Sequence, residues 1–206
     1  MKITEVSPQK NNPSRVNVYA DGEYAFSLDE VDALVMGIKP GKEITQREVA
    51  NCLYESQFSK AKAKALELLS HKSLTEKMLS DELGKKGYDP GVICQVTEEF
   101  KELGYIDDMS FALLYLEYAS QKLWGEKKIR YELSQKGVDA NILEDALASF
   151  ELPGAREVAE CIKQKYSGED LSDFKVKQKI MRFFASRGFD FSVVEEALKR
   201  IDTSND

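Results

Sequence analysis

One phrase occurs three times in this chain of 206 residues: Lys86-Gly87-Tyr88-Asp89, Lys136-Gly137-Val138-Asp139 and Arg187-Gly188-Phe189-Asp190. Its glycines stand 50 and then 51 residues apart. A fixed period of this size marks a repeat architecture, in which each unit buries its apolar face against its neighbours. Stacked helical repeats present extended surfaces to large partners more readily than they enclose small substrates.

Apolar residues keep register with the glycines. Leu79, Ile129 and Ile180 stand eight residues before them, and Leu83, Leu133 and Phe184 stand four before them. This is one face of a helix running into each glycine. After the glycine come Ile142, Leu143, Leu147 and Phe150 in the second repeat, and Val193, Val194, Leu198 and Ile201 in the third. The first repeat follows with Val92, Ile93 and Phe100 but has Thr97 where the others have leucine, with Val96 beside it. A second amphipathic helix therefore leaves each glycine.

Glycine just past a helix end can adopt the left-handed conformation that lets the last carbonyls find donors. Tyr88, Val138 and Phe189 would then fold back onto Leu83, Leu133 and Phe184. Asp89, Asp139 and Asp190 are placed to cap the following helix, and Pro90 suits its first position. The phrase reads as a helix stop followed by a helix start.

A third helix precedes each pair. In the first repeat it is the alanine-rich run Lys60 to Leu69, with Ser73 and Glu76 expected as a capping box for the next helix. In the second it holds Phe111, Tyr115, Tyr118 and Ala119 and ends near Trp124-Gly125. In the third it holds Val158, Ala159, Ile162 and Tyr166, and a polar loop from Ser167 to Asp173 follows. Glu151-Leu152-Pro153-Gly154 breaks the helical pattern, so a flexible joint is expected there.

The opening segment has another period. Arg15 to Ala20 alternates, with Val16 and Val18 on one face, and Asp21-Gly22 leads into an alternating run carrying Tyr24 and Phe26. Asp-Gly between such runs signals a hairpin. Ile3 to Val6 supplies a third strand, and short helices are expected over Leu28 to Met36 and Thr45 to Tyr54. The expected class is mainly α: three tandem three-helix repeats forming an elongated curved array, after a small N-terminal α/β domain containing the hairpin. The boundaries are 1–56, 57–108, 109–151 and 155–202.

With 42% hydrophobic and 32% charged residues, the chain can build cores and no stretch approaches a membrane span. A cytoplasmic monomer is expected. Cys52, Cys94 and Cys161 read as small buried helical residues in a reducing compartment. His71, the only histidine, reads as a solvated loop residue, so no Cys/His metal cluster or Ser/His/Asp arrangement with a second histidine can be assembled. Asp107-Asp108 is better read as a cap for the helix starting near Ser110 than as a metal pair. No phosphate-binding glycine loop is present. The expectation is no enzyme, no cofactor and no metal.

Charge is informative in its distribution. A net charge of −7 argues against indiscriminate coating of nucleic acid. The helix entering Gly188 nevertheless carries Lys175, Lys177, Lys179, Arg182 and Arg187 without an acid. Its counterpart in the second repeat has Lys127, Lys128, Arg130 and Lys136 against Glu126 and Glu132, and the helices after each glycine lean acidic.

The run Gly104-Tyr105-Ile106-Asp107-Asp108-Met109-Ser110-Phe111-Ala112, then Trp124-Gly125, Ile129-Arg130-Tyr131-Glu132-Leu133 and Lys136-Gly137-Val138-Asp139, resembles the central signature of the RecX family of bacterial recombination regulators. The resemblance covers about Lys60 to Ile201, and the N-terminal extension is similar to that of longer members. A proline often stands near Gly125 in the family pattern, and charged residues often replace Met109 and Ser110. The resemblance implies a non-enzymatic modulator of the RecA recombinase, with a part in recombination, DNA repair and the SOS response. Such a protein binds in the groove of the RecA filament on single-stranded DNA and suppresses ATP hydrolysis and strand exchange.

On this reading Lys127, Lys128, Arg130, Lys175, Lys179 and Arg182 are candidate contacts to the nucleoprotein filament, facing either DNA phosphate or an acidic protein surface. Trp124 is a candidate aromatic contact, with a core role as its alternative. Weak direct binding to single- or double-stranded DNA is compatible with it. Two other classes remain: a helix-turn-helix transcription regulator, and a helical scaffold that never meets DNA.

Overall fold

The computed structural model describes residues 1–202. Three strands, β1 (Ile3–Gln9), β2 (Asn12–Ala20) and β3 (Glu23–Asp29), form an antiparallel sheet in the order β1-β2-β3. Asp21 and Gly22 both take positive φ, 51° and 89°, as a tight hairpin turn between right-twisted strands requires. Val16, Val18, Phe26 and Leu28 are buried with Ile3, Ala33, Ile38 and Ile44.

Tyr24 does not share the face of Phe26. Val18 pairs with Phe26 but Tyr19 pairs with Tyr24, so Ala25 is an extra residue in β3. That bulge turns Tyr24 outward, where its ring meets Tyr19 edge-on at 6.0 Å.

Among the described residues ten helices follow: α1 (Glu30–Val35), α2 (Gln46–His71), α3 (Glu76–Lys85), α4 (Pro90–Glu102), α5 (Asp108–Gln121), α6 (Glu126–Gln135), α7 (Ala140–Ala148), α8 (Ala155–Lys165), α9 (Phe174–Ser186) and α10 (Phe191–Asp202). The chain is mainly helical, as its periodicity predicts. The two helices expected over Thr45–Tyr54 and Lys60–Leu69 are one continuous helix of 26 residues. No glycine or proline lies within it to stop it, and Thr45 with Glu48 forms its capping box.

The chain divides into two compact units, one comprising Met1–Lys72 with Leu79–Leu103, the other Ser73–Met78 with the chain from Gly104 onward. In the first unit Ala61 and Ala65 of α2, Leu83 of α3, and Val92, Val96 and Phe100 of α4 are buried. Thr97, the odd residue of the first repeat, is buried too, and its hydroxyl donates to the Cys94 carbonyl at 2.9 Å. The described residues of the second unit gather into two cores. One gathers Ala112, Leu116, Ile129, Leu133, Val138 and Leu143, and the other Val158, Ile162, Ile180, Phe184, Phe189, Val194, Leu198 and Ile201.

The repeated phrase is a helix stop at all three sites. Gly87, Gly137 and Gly188 have φ of 83°, 85° and 85°. At the second, the Gly137 amide donates to the Ser134 carbonyl at 3.0 Å and Val138 to that of Leu133 at 3.1 Å, the paired bonds of a Schellman end. The side-chain oxygens of Asp89 and Asp139 each accept an amide two residues on, at 2.8 Å. Asp190 differs, giving its carboxylate to Lys127 of α6.

Three further details depart from expectation. The hydroxyl of Thr75, not Ser73, opens α3, accepting the Met78 amide at 3.1 Å. His71 is the last residue of α2 rather than part of a loop. Cys94 is exposed and Cys52 and Cys161 are only half-buried, since each sits at the margin of its helix's apolar stripe. Asp107 does cap α5, accepting the Ser110 amide at 3.0 Å, and those bonds hold its carboxyl below the usual range.

Candidate functional site

The cations named by the sequence lie on α6 and α9, both in the second unit, and most already have partners. The Arg130 guanidinium forks onto Glu144 of α7, with one contact at 3.0 Å, and reaches Glu126 at 2.6 Å. Those hydrogen bonds, Glu144 first, raise the Arg130 pKa, and the same contact lowers that of Glu144. Lys127 pairs with Asp190. Lys128 lies over the ring of Trp124 at 4.0 Å.

Trp124 packs partly buried against the α5–α7 core, with Tyr118 edge-on at 5.7 Å and Tyr115 at 6.3 Å. Burial, aided by the charge of Glu132, pushes the Tyr115 hydroxyl up to about 12. The segment Leu123-Trp124-Gly125 is shaped by packing: Leu123 takes φ 52°, and the Trp124 amide donates to the Ala119 carbonyl at 3.0 Å.

Two junctions position α6 in this unit, and both use the repeated phrase. At the end of α9, the Arg187 carbonyl accepts the Gly125 amide at 2.8 Å and the Gly188 carbonyl accepts the Lys127 amide at 3.2 Å. The C-terminal carbonyls of one helix thereby meet the N-terminal amides of another, a favourable arrangement of dipoles. At the other end of α6, the Thr75 hydroxyl donates to the Lys136 carbonyl at 2.5 Å and the Lys77 ammonium to that of Gln135 at 3.3 Å. A Cβ on Gly137 would collide with the Lys77 side chain at 2.3 Å.

On α9 the cations are less committed. Lys179 is bound by Glu169 at 2.7 Å, which raises its pKa, and lies 5.2 Å over Tyr166. Arg187 donates to the Lys122 carbonyl at 2.6 Å. Arg182 meets only the neutral Gln178, at 2.9 Å. Among the described residues, no carboxylate holds Lys175, Lys177 or Arg182 in an ion pair.

Beside these cations runs a groove of about 420 Å³ lined by Phe174, Lys177, Gln178, Met181, Arg182, Ala185 and Phe191. Phe174 is 72% exposed and Phe191 65%. Neither phenylalanine emerges from apolar periodicity, which assigns such residues to cores. The legible signal is departure from the repeat: Phe191 follows the phrase where Pro90 and Ala140 stand in the other units. No cluster of metal-ligating side chains and no helix long and apolar enough to cross a membrane occurs among the described residues.

The architecture defines a tandem three-helix repeat protein preceded by a small antiparallel sheet. Family models of RecX match along its length: the N-terminal domain of regulatory protein RecX over residues 1–45, and the first, second and third three-helix domains over 61–100, 107–147 and 154–198. The chain belongs to the RecX family. A protein of Caldanaerobacter subterraneus named regulatory protein RecX is 34% identical across 96% of this chain and 98% of its own. One of Bacillus licheniformis with the same name is 34% identical across 99% of this chain and 79% of its own. A crystal structure of regulatory protein RecX is similar with a TM-score of 0.64 at 26% identity, covering 95% of this chain and 98% of the other. That of RecX from Lactobacillus salivarius gives 0.61 at 26% identity, over 71% and 97%.

Proposed function

We propose that this chain is a non-enzymatic regulator of homologous recombination that binds the RecA filament on single-stranded DNA and lowers its ATP hydrolysis and strand exchange. Relatives matching nearly the whole chain are named regulatory proteins, and the resemblance to RecX implies the recombinase as partner. The observation that carries the reading is α9, where Lys175 and Arg182 are exposed, Lys177 is half-buried within reach of the Asp170 charge, and none of the three is held in an ion pair among the described residues. Cations outside ion pairs suit an anionic filament and make binding salt-dependent. Two cations of α6 are engaged elsewhere: Lys127 ties the helix to Asp190, and Arg130 ties it to Glu144 of α7 while also pairing with Glu126 of α6 itself.

Duplex reading by a helix-turn-helix draws little support from α7, whose exposed face sets a single amide, Asn141, beside the acidic Glu144 and Asp145 and carries no guanidinium group. The test is RecA ATP hydrolysis on single-stranded DNA with increasing amounts of this protein. Inhibition is expected, weakened at least tenfold in a folded Lys175→Glu, Lys177→Glu, Arg182→Glu variant. No effect of the wild-type protein over a broad concentration range removes the reading.

A further inference from the structure

The two exposed rings beside the α9 cations both arise where the third repeat breaks its own period. Helices α3 and α6 have 10 residues each, whereas α9 has 13, and its added first turn begins with Phe174. Phe191 stands at the start of α10, where the other units have proline or alanine. Two independent departures thus converge on one groove, with Met181 and Ala185 as its apolar lining and Lys177 and Arg182 as its cations. Along α9, Phe174, Lys177, Gln178, Met181, Arg182 and Ala185 fall at helical spacing on one stripe.

We infer that this groove binds single-stranded nucleic acid directly, one or two unstacked bases lying against Phe174 and Phe191 while Lys175, Lys177 and Arg182 meet the flanking phosphates. This rests on the functional reading above and names the part of the filament the third repeat touches. Exposed aromatic rings beside unpaired cations are the combination that single strands use, because every base has a stacking face and every linkage a charge. Duplex DNA keeps its bases stacked and offers the rings nothing. A partner helix would need a continuous apolar groove with anchors at i, i+3, i+4 and i+7, and four apolar side chains do not supply one.

The test uses the full chain without recombinase, titrated by fluorescence anisotropy into a labelled oligo-dT strand and into an abasic strand of equal length and charge. The wild-type protein should bind oligo-dT at least about fivefold more tightly than the abasic strand. The Phe174→Ala, Phe191→Ala variant should lose that preference, and the Phe174→Tyr, Phe191→Tyr variant should keep it. Neutralising Lys175, Lys177 and Arg182 should make the slope of log affinity against log salt shallower by roughly 2. Circular dichroism controls for folding, which exposed rings should not affect.

Equal affinity for both strands, no binding of oligo-dT, or an unchanged preference in the alanine variant overturns the inference. So does displacement of oligo-dT by a polyglutamate peptide whose own affinity falls equally in the alanine variant, which assigns the groove to an acidic polypeptide. Recombinase ATP hydrolysis separates the two readings. A protein that prefers oligo-dT through the groove but leaves hydrolysis untouched keeps this inference and removes the regulatory role, and inhibition without base preference does the reverse.

Discussion

A methyl group on Gly125 would lie 2.4 Å from the carbonyl carbon of Gly188. The end of α9 is therefore seated on the start of α6 backbone to backbone, with no room for a side chain on either glycine; a Cβ on Gly188 would meet the Lys128 amide nitrogen at 2.3 Å. The two hydrogen bonds across this contact satisfy amides that a helix N-terminus otherwise leaves open.

Gly168 offers a comparison within the same unit, with φ 89° and open space around it. Gly168→Ala should cost about 1–2 kcal/mol, the cost of a left-handed alanine. Gly125→Ala, at an ordinary φ of −83°, should cost about 1–3 kcal/mol from overpacking alone. Gly188→Ala combines both effects and should exceed either. Urea unfolding followed by the fluorescence of the single tryptophan, Trp124, measures all three, and equal costs for Gly168→Ala and Gly188→Ala would show that the seating contributes nothing.

Lys128→Ala should alter Trp124 emission, because an ammonium now stands 4.0 Å from the ring, and should cost about 0.5–1 kcal/mol. A blank emission spectrum change would place the ammonium elsewhere in solution.

Asp107→Ala should destabilise the second unit by about 1 kcal/mol at pH 7 through loss of the α5 cap. The Asp107 carboxyl is held below its ordinary range by bonds from Ser110, so the unfolded state takes up its proton first as pH falls. The stabilisation is complete above about pH 4 and is lost as pH drops through the folded value. The difference between wild type and variant should therefore narrow below pH 4 in urea titrations.

Arg130→Ala should weaken inhibition of RecA ATP hydrolysis far less than charge reversal at Lys175, Lys177 and Arg182. Its guanidinium is already engaged by Glu126 and Glu144. Equal losses would mean that the filament draws Arg130 away from those carboxylates.

Much of the fold is legible in the sequence because glycine and aspartate have few physical roles at a helix boundary. Positive φ at Gly87, Gly137 and Gly188 follows from the phrase itself. The Asp21-Gly22 hairpin is equally local, whereas the bulge at Ala25 depends on the pairing partner and leaves no mark in the alternation of β3. Nor does sequence reveal that α2 is unbroken, because the polar stretch between its two apolar parts can be either helix or loop. The candidate site divides along the same line. Composition locates the cations but not every partner: Lys127 and Asp190 are separated by 63 residues. Phe174 and Phe191 look like core residues to any pattern based on hydrophobicity.

At ~1.5 Å per residue, the 26 residues of α2 make a rod of about 39 Å. Near its first half Ser56 bonds Asp32 of α1, and Lys60 pairs with Asp29 at 2.9 Å. Tyr54 reaches Gln95 of α4 at 2.5 Å, and Lys62 pairs with Glu99 of the same helix at 2.5 Å. The sheet and the first repeat consequently share one axle rather than a hinge. A load applied to the strands is delivered to α4 without slack, and a truncation at residue 57 would saw through the shaft instead of removing a detachable module.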